Sequence, residues 1–327
     1  MKPISCLLAT LLLTASFTST SLAEAPKKTL NVLFIGNSFT ARHDLSTVIK
    51  AMAEAGNPGL TFNRTDIIYG GRTLKDHWRL GTQLIVRQTT VTEAEEKELI
   101  AALEKTKAED PKDKYAASAL NRHKMLLPKL EDNRTPWDIV VLQSYRDDVS
   151  GDPTLYAEYA PRFAELIHAQ GGRVVLYETT PITQNDKALT EAPDAAPIMA
   201  KERAIAKLAN EINASVAPMA LVAHKCQTER PDLTLRFVND AHLNQTMAYL
   251  TAGTLYAALF DKTPVGLPID SITDIRFIED GSNDKTKDRD GDPITRVFSD
   301  KDRADLQRIA WEGYSEFKTL RSAVKGN

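Results

Sequence analysis

The sequence predicts an α/β fold built on a parallel sheet with helices on both faces. Three observations point there. Short apolar runs at 30–35, 139–142 and 174–177 read as strands buried on both sides. Helix-spaced stretches separate them, as crossovers between parallel strands require. No internal repeat and no long linker interrupts the alternation.

The first strand ends at Gly36, and a helix at 46–55 follows it to the turn cluster Gly56-Asn57-Pro58. A second strand at 63–69 ends in Gly70-Gly71. Residues 91–129 are rich in Glu, Lys, Ala and Leu, which favours helix, and Pro111 divides them in two. They belong to a helical insertion at 85–135, between strands two and three, that is longer than a crossover needs. Its charge predicts a solvated insertion in preference to a cap over one sheet edge. Helices at 155–169 and 197–212 flank the strand at 174–177, and 216–222 is the candidate fifth strand. The apolar, small-residue run 247–260 suits a helix packed closely on the sheet. A C-terminal extension, 265–327, holds a hairpin pairing 275–278 with 294–298. Ser299 and Asp302 then open a last helix with capping-box spacing. Leu306, Ile309, Gly313, Phe317 and Leu320 form its core-facing stripe.

Residues 1–23 read differently. Lys2 precedes an apolar stretch at 6–13, and a Ser/Thr-rich segment follows. Ser21-Leu22-Ala23 has the small–x–small pattern of a signal-peptidase site, with Ala23-Glu24-Ala25 as a second option. The stretch is too short for the roughly 20 residues of a bilayer span. An exported chain is predicted, periplasmic or secreted, maturing near Glu24 into one domain over 24–327. Cleavage takes the net charge from −3 to −4 and removes Cys6. Cys226 then stands alone, without an internal disulfide, and reads as a small buried hydrophobe. Hydrophobic residues at 42% and charged residues at 26% exclude the disordered and fibrous classes. The slightly acidic balance sets nucleic acid aside as a partner.

In open α/β sheets, ligands bind at the carboxyl ends of the strands, so the residues just after each strand matter most. These are Gly36-Asn37-Ser38-Phe39-Thr40, Gly70-Gly71-Arg72-Thr73-Leu74 and Gln143-Ser144-Tyr145, with Asn239-Asp240-Ala241-His242 before the small-residue helix. A hydroxyl, glycine amides, a side-chain amide and an acid–His pair would meet on one edge. Acyl transfer needs that set: nucleophile, base, base-orienting group and oxyanion donors. Singly, each has a plainer reading, with Ser38 as a helix N-cap, Gly70-Gly71 as a turn and His242 as a structural histidine. His43 is the rival base by its nearness in sequence to Ser38. His77 is either a substrate contact or a packing partner of Trp78. His123, His168 and His224 read as ordinary surface or structural residues. The run Asp284, Asp288, Asp290, Gly291, Asp292 has calcium-loop spacing but no acid at the twelfth position, and reads as a solvated hairpin loop. Without a Cys/His cluster or a Gly-rich nucleotide loop, neither a metal nor a cofactor is expected.

Together these segments resemble the SGNH (GDSL-like) hydrolase superfamily. Gly36-Asn37-Ser38 is similar to its nucleophile block and Gly70-Gly71-Arg72-Thr73-Leu74 to its second block. Val140-Val141-Leu142-Gln143 occupies the third block and the acid–His segment the last, in the family's chain order across residues 30–260. The resemblance implies a flavodoxin-like three-layer sandwich with about five parallel strands, and a serine esterase. In that role Ser38 attacks the acyl carbonyl, His242 moves the proton, and Ser38, Gly71 and Gln143 donate to the oxyanion. Two departures stand out. Gln143 sits where the family has asparagine. The family acid lies three residues before the histidine, which is Asn239 here, while Asp240 lies two before. Either could orient the imidazole, but only Asp240 adds charge.

The expected function is removal of acyl groups, acetyl foremost, from a carbohydrate or other small ester, with no membrane span. One alternative is a non-catalytic ligand- or glycan-binding module on the same fold, with Gln143 and Asn239 marking lost chemistry. A thioesterase or lysophospholipase is another.

Overall fold

Val32 and Phe34 of strand β1 (Lys28–Gly36) enter one hydrophobic core, while Leu33 and Ile35 enter a second core on the other face. The computed structural model describes residues 28–145, 154–238, 240–275 and 284–326. The expected leader at 1–23 and Asn239 lie outside the described residues. Strands β2 (Leu60–Ile68), β3 (Ile139–Gln143), β4 (Arg173–Tyr177) and β5 (Ser215–Ala217) complete a parallel sheet in the order β2-β1-β3-β4-β5. In β3, Ile139 and Val141 follow Val32 into the first core, and Val140 and Leu142 join the second. This period-two division is what buries both faces, so the architecture is the α/β three-layer sandwich the sequence predicts. The chain leaves β1 toward β2 on one side and returns to β3 on the other. The switch point, where such sheets bind ligands, therefore lies at the carboxyl ends of β1 and β3.

The helices follow in chain order. A single turn, α1 (Ser38–Ala41), leads through a 3-10 turn into α2 (Leu45–Gly56). Short helices α3 (Leu74–Arg79) and α4 (Thr82–Val86) precede α5 (Glu93–Glu109) and α6 (Lys114–Leu126). Then come α7 (Leu155–His168), α8 (Ala195–Glu211), α9 (Met219–Glu229), α10 (Gln245–Phe260) and α11 (Asp300–Gly326). Residues of α2, α9, α10 and α11 cover the first core, and α3 to α8 supply the second. Helix α10 is buried all round, and the Thr251 and Thr254 hydroxyls donate back to the carbonyls of Met247 and Leu250. A Cβ at Gly313 of α11 would come within 2.6 Å of Val222, so glycine there permits close packing on α9. Among the described residues no helix is long and apolar enough to cross a membrane.

Four sequence expectations need correction. The fifth strand stops at Ala217, because Pro218 has no N–H for the ladder and α9 begins at Met219. The hairpin pairs β6 (Ser271–Thr273) with β7 (Thr295–Val297), earlier than 275–278, because Ile272 is the residue that enters the core. Arg276, Phe277 and Ile278 lie outside the described residues. The helical insertion is solvated on one side only: Leu103 of α5 and Ala116, Ala119 and Leu120 of α6 join the second core. The acidic loop is not simply solvated either, since Asp288 is 4% exposed.

Candidate active site

Ser38 starts the turn that follows β1, at the switch point of the sheet. The backbone before it is held from several sides. The Gly36 carbonyl accepts hydrogen bonds from the Tyr69 N–H at 3.0 Å and from His77 Nε2 at 2.9 Å. A Cβ at Gly36 would collide with Gln143 Oε1 and the Thr40 hydroxyl, so this strand must end on glycine. Asn37 caps the turn, its Oδ1 accepting from the Phe39 N–H at 3.1 Å. Its Nδ2 donates to Arg72 O at 3.1 Å and ties the Ser38 turn to the loop after β2.

Gln143, at the end of β3, is buried and fully engaged. Its Oε1 accepts from the Asn37 N–H at 2.9 Å and the Thr40 hydroxyl at 2.5 Å. Its Nε2 donates to Asn37 Oδ1 at 2.6 Å and Ser144 O at 2.9 Å. Both amide hydrogens thus meet protein acceptors, one in the loop after β1 and one in the backbone just after β3. Gln143 shapes the turn that carries Ser38.

His242 Nε2 lies 2.7 Å from Ser38 Oγ. On the far side of the ring, His242 Nδ1 hydrogen-bonds Asp240 Oδ1, which also accepts the His242 N–H at 3.0 Å. The Phe39 ring packs 4.9 Å from the imidazole centroid to centroid. Asp240 Oδ2 faces two guanidinium groups, Arg42 at 3.3 Å and Arg289 at 3.1 Å. Burial works against ionisation of Asp240. The hydrogen bonds and charge of His242, with the charge of Arg42, outweigh it and hold the carboxyl well below the usual carboxylate range. The geometry gives a hydroxyl, an imidazole and an ionised acid in series.

Gly71 has φ +66°, a left-handed backbone, and open space where a Cβ would stand. Next to it, the Tyr115 hydroxyl of α6 donates to Gly70 O, and the Arg72 guanidinium lies 4.7 Å over the Tyr115 ring. One end of the helical insertion therefore braces the loop after β2. A cavity of about 680 Å³ lies at the other end of the sheet, lined by the first residues of β1, β2, β4 and β5, away from Ser38.

Two other histidines and the cysteine have structural places. His43, the rival base, is buried in a left-handed conformation, with Nε2 2.9 Å from Leu243 O and its ring stacked on Phe237. Burial lowers its pKa, and it braces the residue beside His242 without facing Ser38 as a hydrogen-bond partner. His77 is buried against Tyr69, between Gly36 O and the Thr82 hydroxyl, and burial lowers its pKa to about 4. Cys226 is a buried core residue whose thiol is pushed up to about 12 by burial. Asn239 lies outside the described residues. Sequence reasoning missed Asn37, Thr40, Arg42 and Arg289. The first two flank Ser38 in the motif itself, whereas nothing local marks the arginines.

The sheet order is that of an α/β three-layer sandwich, and Ser38, Asp240 and His242 lie together at its carboxyl edge. No family model matches the sequence, and no curated protein matches it. Two solved structures are similar to the chain. One is a candidate SGNH hydrolase from Slackia heliotrinireducens, 17% identical, with a TM-score of 0.42 over 71% of this chain and 100% of that one. The other is a DUF4886 family protein from Bacteroides uniformis ATCC 8492, 16% identical, with a TM-score of 0.46 over 87% of this chain and 94% of that one.

Proposed function

We propose that the protein is an exported serine esterase of SGNH type that removes acyl groups, acetyl foremost, from a carbohydrate or other small ester. The observation that carries this reading is the 2.7 Å contact of Ser38 Oγ with His242 Nε2, with Asp240 on the opposite ring nitrogen. In this mechanism Ser38 Oγ forms a bond to the acyl carbon while His242 takes its proton. The carbonyl electrons move onto oxygen, where the Ser38 and Gly71 N–H groups are the proposed donors. The ester C–O bond then breaks, and the alcohol leaves with the proton from His242. Water, deprotonated by His242, attacks the acyl-enzyme and releases the acid, restoring Ser38. Asp240 fixes the imidazole tautomer and balances its charge.

Export rests on the leader at 1–23, and the acetyl and carbohydrate assignments on the resemblance. The reading is tested with a short-chain chromogenic acetate and the mature protein beside its Ser38→Ala variant. Turnover that vanishes in the variant, with the fold intact, is expected. Equal rates for the two proteins, on the acetate and on a longer ester, would overturn it.

A further inference from the structure

The acidic loop at 284–292 belongs to the C-terminal extension and has no part in the SGNH-like blocks, yet it grips the acid–His segment. Asp288 Oδ2 accepts from Gln245 Nε2 at 3.0 Å, just after the segment. The carboxylate of Asp290 accepts the Val238 N–H at 3.1 Å, just before it. Between these two anchors, Arg289 reaches Asp240 Oδ2 at 3.1 Å. The loop is itself tied, since Asp288 Oδ1 accepts the N–H groups of Asp290 and Asp292 at 3.0 and 2.9 Å. Of the carboxylates that imitate a calcium loop in sequence, those of Asp284, Asp288 and Asp290 accept from protein donors.

We infer that Arg289 is a positioning residue for Asp240, and that the loop at 284–292 is a strap that completes the site. The inference rests on Asp240 and His242 acting as proposed above. The imidazole and the His242 N–H both hold the carboxylate through Oδ1, which leaves it able to tilt about its Cβ–Cγ bond. Two guanidiniums on Oδ2, Arg42 from the turn after Ser38 and Arg289 from the strap, fix its plane so that Oδ1 meets Nδ1. Without Arg289, Asp240 keeps Arg42, the imidazole and the His242 N–H, so no buried charge is left unpaired. The effect is therefore expected in turnover more than in unfolding.

The test uses the full mature protein with Arg289→Gln and Arg289→Lys, on the short-chain acetate. Arg289→Gln is expected to lower kcat by about 10- to 100-fold with KM and the unfolding midpoint unchanged, as a displaced catalytic group would. Arg289→Lys should recover most of the loss. Proton NMR reads the same geometry without turnover: the downfield His242 Nδ1–H resonance should move or broaden in Arg289→Gln and return in Arg289→Lys. An unchanged kcat and resonance in Arg289→Gln would overturn the inference. So would equal losses in both variants with a lowered unfolding midpoint, which marks a structural role only. If the unsubstituted protein and Ser38→Ala are equally inactive, the esterase reading fails and the resonance alone decides on Arg289.

Discussion

His77 Nε2 lies 2.9 Å from the carbonyl oxygen of Gly36, and this contact sets a buried imidazole against the strand end that leads into Ser38. The Nε2–H donates to the carbonyl, so Nδ1 is left to accept from the Thr82 hydroxyl at 3.1 Å. The ring fills this place only when neutral, because protonation would leave a charge without water and set Nδ1–H against its acceptor role.

A pH dependence of stability follows. Burial lowers the His77 pKa from 6.5 to about 4, so between these values the unfolded chain binds the proton more readily than the folded one. Stability therefore falls as pH drops through this window, by on the order of 3 kcal/mol from this group. Chemical unfolding of the protein and its His77→Gln variant at pH 7 and pH 4.5 checks it. The difference between the two proteins should shrink at the lower pH, and a difference that stays constant would refute the assignment.

Gln143→Leu should act through stability. It removes the partners of the Asn37 N–H and the Thr40 hydroxyl inside the protein, and one of the two donors to Asn37 Oδ1. Each buried group left unpaired costs about 1–3 kcal/mol, so a clear drop in the unfolding midpoint is expected together with lost turnover. Were Gln143 a direct oxyanion donor, kcat would fall while the midpoint held.

Asp240→Asn should lower kcat by about a thousandfold or more, because an amide at this place favours the wrong imidazole tautomer. Asn239→Ala should lower it far less. Steady-state kinetics on the short-chain acetate ranks the two, and the reverse order would move the orienting role to Asn239. The guanidinium and imidazole partners also keep Asp240 ionised well below its ordinary value of 3.8. The stability this carboxylate contributes is therefore present above pH 3.8 and lost only as pH falls toward its lowered folded value.

Tyr115→Phe removes the hydroxyl that donates to Gly70 O but keeps the ring beneath Arg72. If the loop after β2 supplies the Gly71 N–H to the oxyanion, kcat should fall by roughly tenfold with the fold retained, as for a misplaced group. Unchanged kinetics would show that the insertion does not brace that loop in turnover.

Much of this was legible in the chain because it is local. The short apolar runs of β1, β3 and β4 announce strands buried on both faces, and Gly36-Asn37-Ser38 contains its own cap and its own close-packed glycine. The chain order of the blocks then places Ser38 and His242 on one sheet edge, since parallel strands share a direction. Other features were settled only by the fold. Gln143 meets Asn37 across 106 residues of sequence, and no local pattern tells which way a side-chain amide faces. The strap residue Arg289 stands in a run that reads as solvent-facing, because composition records charge but not its partner. Hydrophobic periodicity is a property of neighbours along the chain, whereas the direction of a hydrogen bond or an ion pair is decided by what packing brings to the other side.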